Sequence, residues 1–233
     1  MRFALFFALI LLTSYSAVQA QDRIPENIQI GLSTDQVSIT SDFSGAELTI
    51  FGALDNADPL IARQGRYDVI VVLEGPPRPV TVRKKTRVAG MWINTESVIF
   101  RDVPASYSMA LTRAPQDITA PDGYRQLALG ADNLHLQPLD ADGDPKTIEE
   151  FTRALRERKE AEGLYSTRPG AVRFLSQSLF RASLRLAPNV AVGTHRARAF
   201  LFRNGMFLRE TSAQLTIRKA GLEQRLYQFA HQN

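Results

Sequence analysis

Three histidines, His135, His195 and His231, are the whole supply of imidazole in this sequence, and it contains no cysteine. None of the three sits in an HxH, HxxxH or HExxH spacing, so no metal pair is built into one helix face or strand. Without thiols there is no thiolate zinc site, iron–sulfur cluster, disulfide framework or cysteine nucleophile. The best metal lead is Asp140-Ala141-Asp142-Gly143-Asp144, followed by Glu149-Glu150. A calcium loop of the EF-hand kind needs glycine at its sixth position and a carboxylate at its twelfth. Here Gly143 stands fourth and Phe151 twelfth. The residues fit a solvated acidic turn better, with Asp144 capping a helix. No GxSxG elbow, GxxxxGK[ST] loop or GxGxxG loop occurs, which leaves serine-elbow and phosphate-loop chemistry without a handle. The expectation is no catalytic residue, no cofactor and no metal.

The strongest charge feature is Arg83-Lys84-Lys85-Thr86-Arg87, between two expected strands. Arg83, Lys84, Lys85 and Arg87 are candidate contacts for anionic headgroups, a cell-wall polymer or an acidic partner. Lysine and arginine at a hairpin tip or edge strand also protect against edge-to-edge pairing, which explains the same residues without a ligand. The net charge of +4 is mild and does not imply nucleic acid. Trp92, the single tryptophan, lies between Met91 and Ile93 and is expected to plug a core.

These residues must be held by something, and the hydropathy pattern says what. From Ile28 to about Thr112 it reads as β structure. Val37-Ser38-Ile39-Thr40 alternates, and Glu47-Leu48-Thr49-Ile50-Phe51 follows, ended by Gly52. Tyr67-Asp68-Val69-Ile70-Val71-Val72-Leu73 is β-branched and nearly all apolar, as a central strand would be. Gly75-Pro76-Pro77 breaks it. Further short strands are expected over 80–83, 88–93, 97–100 and 107–111, with Asn94-Thr95-Glu96 as a turn. Many short strands with frequent turn signals mark a sandwich.

The middle changes period. Residues 121–133 carry Tyr124, Leu127, Ala128 and Ala131 at helical spacing. Asp144-Pro145 reads as an N-cap followed by proline at the first helical position. Ile148, Phe151 and Leu155 form a narrow apolar stripe, basic residues gather late, and Gly163 is the stop. Strands return over 172–174, 179–186, 194–202 and 207–217. Asn204-Gly205, between the last two, is a strong hairpin signal. Residues 221–231 could add a short helix bearing Leu222, Leu226 and Phe229.

The first twenty residues read as an export signal: the charge of Arg2, an apolar run from Phe3 to Leu12, and Val18-Gln19-Ala20 before a cut after Ala20. That apolar run is about half of what spans a bilayer, and no second run of about 18 apolar residues follows. The expected organisation is a signal peptide over 1–20, a β-sandwich domain over 21–113 and a helical insertion over 114–169. A C-terminal β portion over 170–219 packs on or completes the sandwich, and 220–233 forms a short helix or juxtamembrane segment. The fold class is mostly β, an immunoglobulin-like β-sandwich with a helical insertion and a short C-terminal helix.

Several stretches together carry a resemblance. They include Ile39-Thr40-Ser41-Asp42-Phe43-Ser44-Gly45-Ala46-Glu47-Leu48, Val82-Arg83-Lys84-Lys85-Thr86-Arg87-Val88-Ala89-Gly90-Met91-Trp92-Ile93-Asn94 and Val103-Pro104-Ala105-Ser106-Tyr107. Glu162-Gly163-Leu164-Tyr165-Ser166 and Gly221-Leu222-Glu223-Gln224 follow in the same order. Over nearly all of its length past the leader, the sequence resembles the conserved alphaproteobacterial putative transmembrane protein family. That resemblance implies export to the periplasm, tethering to the inner membrane by a C-terminal helix and a permease-like membrane partner. The sequence departs from the pattern in showing no such helix up to Asn233, so either the helix follows or this member is soluble. It supplies no catalytic residues.

The leading expectation is therefore a non-catalytic envelope interaction module. It would be the extracytoplasmic part of an inner-membrane protein that supports a membrane partner such as a permease. One alternative is a periplasmic binding module for a small anion or glycan, using the cleft between sandwich and insertion. Another is a hydrolase with carboxylates assembled in space.

Overall fold

The computed structural model describes residues 25–139 and 144–220. The export signal, the acidic residues 140–143 and the expected helix over 221–231 lie outside the described residues. In chain order the first strands are β1 (Asn27–Leu32), β2 (Gln36–Ile39), β3 (Ala46–Asp55) and, after the short helix α1 (Pro59–Arg63), β4 (Tyr67–Glu74). A long hairpin follows, β5 (Pro77–Val88) and β6 (Met91–Pro104), then β7 (Tyr107–Leu111). The helical stretch holds α2 (Pro115–Ile118), α3 (Pro121–Gln126), a 3-10 turn (Ala131–Asn133), the two-residue strand β8 (Gln137–Pro138) and α4 (Pro145–Ala161). Last come β9 (Tyr165–Pro169), β10 (Val172–Phe174), β11 (Leu179–Leu186), β12 (Gly193–Arg203) and β13 (Met206–Lys219).

One sheet has the order β1-β3-β11-β10 and the facing sheet β2-β13-β12-β4-β7-β9. β1 pairs antiparallel with β3, while β2 runs parallel to β13 on the opposite sheet. The first strand is thus split between the two sheets. A four-stranded sheet built on β3 and β11, facing one built on β4, β12 and β13, is the immunoglobulin arrangement, with β7 as the strand added beside β4. The fold is a mostly β, immunoglobulin-like sandwich. β11, β12 and β13 are integral to it, because β11 pairs with β3 and β12 with β4.

Alternation along the strands fills the space between the sheets. Leu48, Ile50 and Leu54 of β3 and Phe180, Ala182 and Leu184 of β11 meet Val69, Val71 and Leu73 of β4. The opposite face of β4 is buried as well. Ile70 and Val72 join Phe200, Phe202, Tyr107 and Met109 beneath the helical stretch, through Ile118, Tyr124 and Leu129. This double burial is why β4 reads as an unbroken apolar run rather than an alternating one.

Several expectations are corrected. Gly52 does not end its strand, which runs on to Asp55. The Phe180 ring fills the place a Cβ there would take, and such a Cβ would also lie 2.6 Å from the Gln29 carbonyl oxygen. Glycine here admits an aromatic ring into the core rather than breaking the backbone. The helix expected over 121–133 divides, because Ala128 and Gly130 adopt positive φ (52° and 91°). The helical insertion expected to run to 169 ends earlier, because β9 (Tyr165–Pro169) pairs parallel with β7. The segments over 80–104 are not short sandwich strands but two long ones, twelve and fourteen residues, in a separate sheet of order β5-β6-β8.

Candidate functional site

The hairpin leaves the sandwich between β4 and β7. Backbone bonds close its base, from Gly75 N–H to the Ser106 carbonyl (2.8 Å) and from Ala105 N–H to the Pro76 carbonyl (3.1 Å). Arg78 ties the base to the sandwich by donating to the Val192 carbonyl (2.9 Å). Along its lower half one face rests on α4. Val80, Val82 and Val98 pack around Phe100, Val103, Phe151 and Leu155, a small core separate from the sandwich interior. The helix begins where the sequence indicates. The Asp144 carboxylate accepts from the Thr147 N–H (3.0 Å), and Pro145 takes the first helical position. Two polar contacts hold the rest of α4: Arg156 donates to the Leu134 carbonyl (3.0 Å) and Lys159 to the Ala105 carbonyl (3.1 Å).

The last contact between hairpin and helix is an ion pair, Lys84 Nζ to Glu150 Oε1 at 3.0 Å. That carboxylate holds the Lys84 ammonium above its ordinary range. Beyond it every residue over 85–97 is exposed. The hairpin therefore ends in an arm that, among the described residues, is clear of the domain on both faces.

The arm's tip is not where the sequence suggests. Asn94-Thr95-Glu96 is no turn: Lys84 pairs with Glu96 and Lys85 with Asn94, so Thr95 is the extra residue of a β-bulge. The reversal occurs at Ala89-Gly90, whose φ angles of +48° and +83° suit a tight two-residue hairpin turn. The basic run consequently lies within β5 rather than between strands, and among the described residues β5 is an edge strand with β6 as its sole sheet neighbour.

Directly paired residues share a face of a hairpin. Val88 with Met91, and Thr86 with Ile93, form one face; Arg87 with Trp92, and Lys85 with Asn94, form the other. Trp92 is 68% exposed and Met91 66%, with Val88 and Ile93 also open. The expectation that Trp92 plugs a core is thus overturned. It belongs to a strand that has already left the domain, so no second layer covers it. Phe151 and Leu155, from the apolar stripe of α4, are buried. Arg83, Lys84, Lys85 and Arg87 are brought together on one strand. Among the described residues, Lys84 alone of the four pairs with a carboxylate.

Other candidates are less assembled. Among the described residues no three metal-ligating side chains cluster. His135 is exposed, whereas His195 is fully buried behind the hairpin base with Nε2 unpartnered. Burial pushes its pKa below the ordinary range. Asp68 is the one buried carboxylate among the described residues, clamped by both Arg113 and Thr112. A cleft of about 550 Å³ does lie between sandwich and helical stretch, lined by Met109, Thr119, Tyr124, Asn133, Asp132 and Glu160. The Tyr124 hydroxyl donates to the Pro115 carbonyl (2.8 Å) and, buried, is pushed up to about 12. Arg125 at its rim is engaged by Asp122.

No helix among the described residues is long and apolar enough to cross a membrane, which says nothing of strands. No curated protein matches the sequence. Among solved structures the chain is similar to AggA, the major subunit of aggregative adherence fimbriae type I from Escherichia coli. The identity is 11%, the alignment covers 84% of this chain and 95% of that one, and the TM-score is 0.26. At that score the likeness carries no argument. The family model described as putative transmembrane protein, Alph_Pro_TM, matches residues 27–233, and the chain belongs to that family.

Proposed function

We propose that this chain is a non-catalytic interaction module of the cell envelope. It is the extracytoplasmic part of a membrane-associated protein, and it supports a permease-like membrane partner through the hairpin arm. The observation that carries this reading is the arm itself. An ordered two-stranded projection leaves the sandwich, is braced by α4, and exposes both large apolar side chains and cations. Exposed apolar surface of this kind on an ordered element marks a contact site. Membership of a family described as transmembrane supplies the setting.

A photo-crosslinking residue at Ser97, on the arm's shaft, tests it in cells expressing the native reading frame. An adduct with a multi-span membrane protein is expected, lost together with partner pull-down in the Lys84→Glu/Lys85→Glu variant. A shaft that yields no adduct, with pull-down unaffected by the charge reversal, would overturn the reading. The cleft beneath the helical stretch favours no anion, because Asp132 and Glu160 face it while Arg125 is already paired.

A further inference from the structure

We infer that the tip of the hairpin arm is an interfacial lipid anchor. Met91, Trp92 and Ile93 enter the boundary region of an anionic bilayer, and Lys85 and Arg87 meet its phosphate headgroups. The inference rests on the reading of the chain as a membrane-facing module and names the surface that the tip meets.

The order of side chains along the arm carries the argument. Apolar residues occupy the end: Val88 and Met91 flank the turn, with Trp92 and Ile93 next. Cations begin one pair back with Arg87 and continue through Lys85 to Arg83. At a strand rise of roughly 3.3 Å per residue, Lys85 sits about 10 Å behind the Val88–Met91 pair. Interfacial elements bury their apolar side about 5–10 Å into the headgroup and acyl boundary, with cations outside it. Tryptophan favours that same boundary, because its ring is apolar and its N–H stays within reach of water or a headgroup.

Charge points the same way. Residues 83–96 contain four cations and a single acid, Glu96, against a net charge of +4 for the entire sequence. Protection of an edge strand accounts for the lysines and arginines but not for the tip. A strand guarded against association would not expose Met91 and Trp92 by two thirds of their surface.

The backbone sets the depth. A two-stranded ribbon pairs its inner N–H and C=O groups and leaves the outer ones open. Those outer groups exclude the arm from hydrocarbon, where nothing can satisfy them. At the interface, water and phosphate oxygens do so.

Trp92 is the only tryptophan, so intrinsic fluorescence reports this tip alone. The purified protein of this sequence is titrated with vesicles of phosphatidylcholine alone and of phosphatidylcholine mixed with phosphatidylglycerol. A blue shift and quenching by lipids brominated near the headgroup are expected with the anionic vesicles and not with the neutral ones. Each cation near an anionic surface contributes roughly a fivefold gain, so Lys85→Gln/Arg87→Gln should weaken binding by roughly thirtyfold. Raised salt should weaken the native protein similarly. An unchanged thermal midpoint in the variant shows that it still folds. Trp92 emission that ignores both kinds of vesicle would overturn the inference, as would equal binding to neutral and anionic vesicles. A silent Trp92 with a persistent Ser97 adduct removes the lipid anchor and leaves the partner reading standing. The reverse pattern removes the partner reading and keeps the anchor.

Discussion

If α4 braces the arm, then Phe151→Ala should release the arm while leaving the sandwich folded. The helix has 17 residues, yet Phe151 and Leu155 are its only buried side chains. Fully burying one such side chain is worth about 1.5–3 kcal/mol, so the helix rests on roughly 3–6 kcal/mol of apolar contact. The bonds from Arg156 to the Leu134 carbonyl and from Lys159 to the Ala105 carbonyl add about 1 kcal/mol each. The exposed Lys84–Glu150 pair adds little. Truncating a buried phenylalanine to alanine costs about 3–5 kcal/mol, counting the cavity it leaves. That is comparable with everything that holds the helix down.

Because Phe151, Leu155, Phe100 and Val103 form a cluster of their own, the loss should appear locally. Hydrogen exchange followed by mass spectrometry would read it. Amides of α4 and of the β5–β6 ladder should exchange faster by roughly two to three orders of magnitude. Amides of β4 and β12, which are buried by the sandwich, should keep their protection. Leu60→Ala, at a site 66% exposed, is the control and should change neither. Unaltered exchange in the arm would refute the brace. Equal acceleration in β4 and β12 would refute the independence of the third cluster.

Four further outcomes follow from the same contacts. Trp92→Ala should leave urea-unfolding stability within about 0.5 kcal/mol, whereas Phe100→Ala should cost about 3–5 kcal/mol; a large loss at Trp92 would return it to a core. Gly52→Ala should destabilise by about 1–3 kcal/mol, and adding Phe180→Leu should recover only part, because the Gln29 carbonyl that a Cβ would strike is backbone. Hydrogen bonds from Thr147 hold the Asp144 carboxyl below its ordinary pKa; its contribution to the start of α4 is present above the unfolded value of 3.8, fades as pH falls through the lower folded value, and should be missing at any pH in Asp144→Ala, read as exchange of the first-turn amides. His195 is held below its ordinary pKa by burial; the unfolded chain takes up a proton below about pH 6.5 that the folded chain refuses, so stability should fall with pH from there by at most about 1.4 kcal/mol per pH unit, and His195→Gln should flatten that slope in denaturant titrations near about pH 5.5 and 7.5.

The sandwich was largely legible because its signals are local. Asn204-Gly205 marks its own turn, with φ of +50° and +84°, and Asp144-Pro145 marks its own helix start. Strands 172–174 and 179–186 end where alternation ends. What the sequence could not convey is the partner of each face. Val80, Val82 and Val98 alternate with polar residues just as Leu48 and Ile50 do, yet the former cover one helix and the latter fill the sandwich. Trp92 has the same hydropathy whether it is buried or free. Thr95 looks like turn material, and only the register across the hairpin identifies it as a bulge. β9, Tyr-Ser-Thr-Arg-Pro, is polar because β7 supplies its hydrogen bonds while most of its side chains face solvent. The basic run was visible at once. Its exposure on both faces, which the proposed contact requires, depends on where α4 begins.

The placement of the additions explains why an ordinary sandwich can carry such a device. The hairpin enters just before β7 and the helical stretch just after it, so both spring from one strand near one edge of the larger sheet. Two additions at neighbouring points of the frame can pack on each other without passing through the core. Their shared cluster contains hairpin and helix residues and none from β1, β3 or β11. Changes in the arm therefore need not repack the frame. Stability of the frame does not require the exposed tip, since no residue over 85–97 is buried. Covering Met91 and Trp92 from outside would lower the free energy of the protein further, by removing their apolar surface from water.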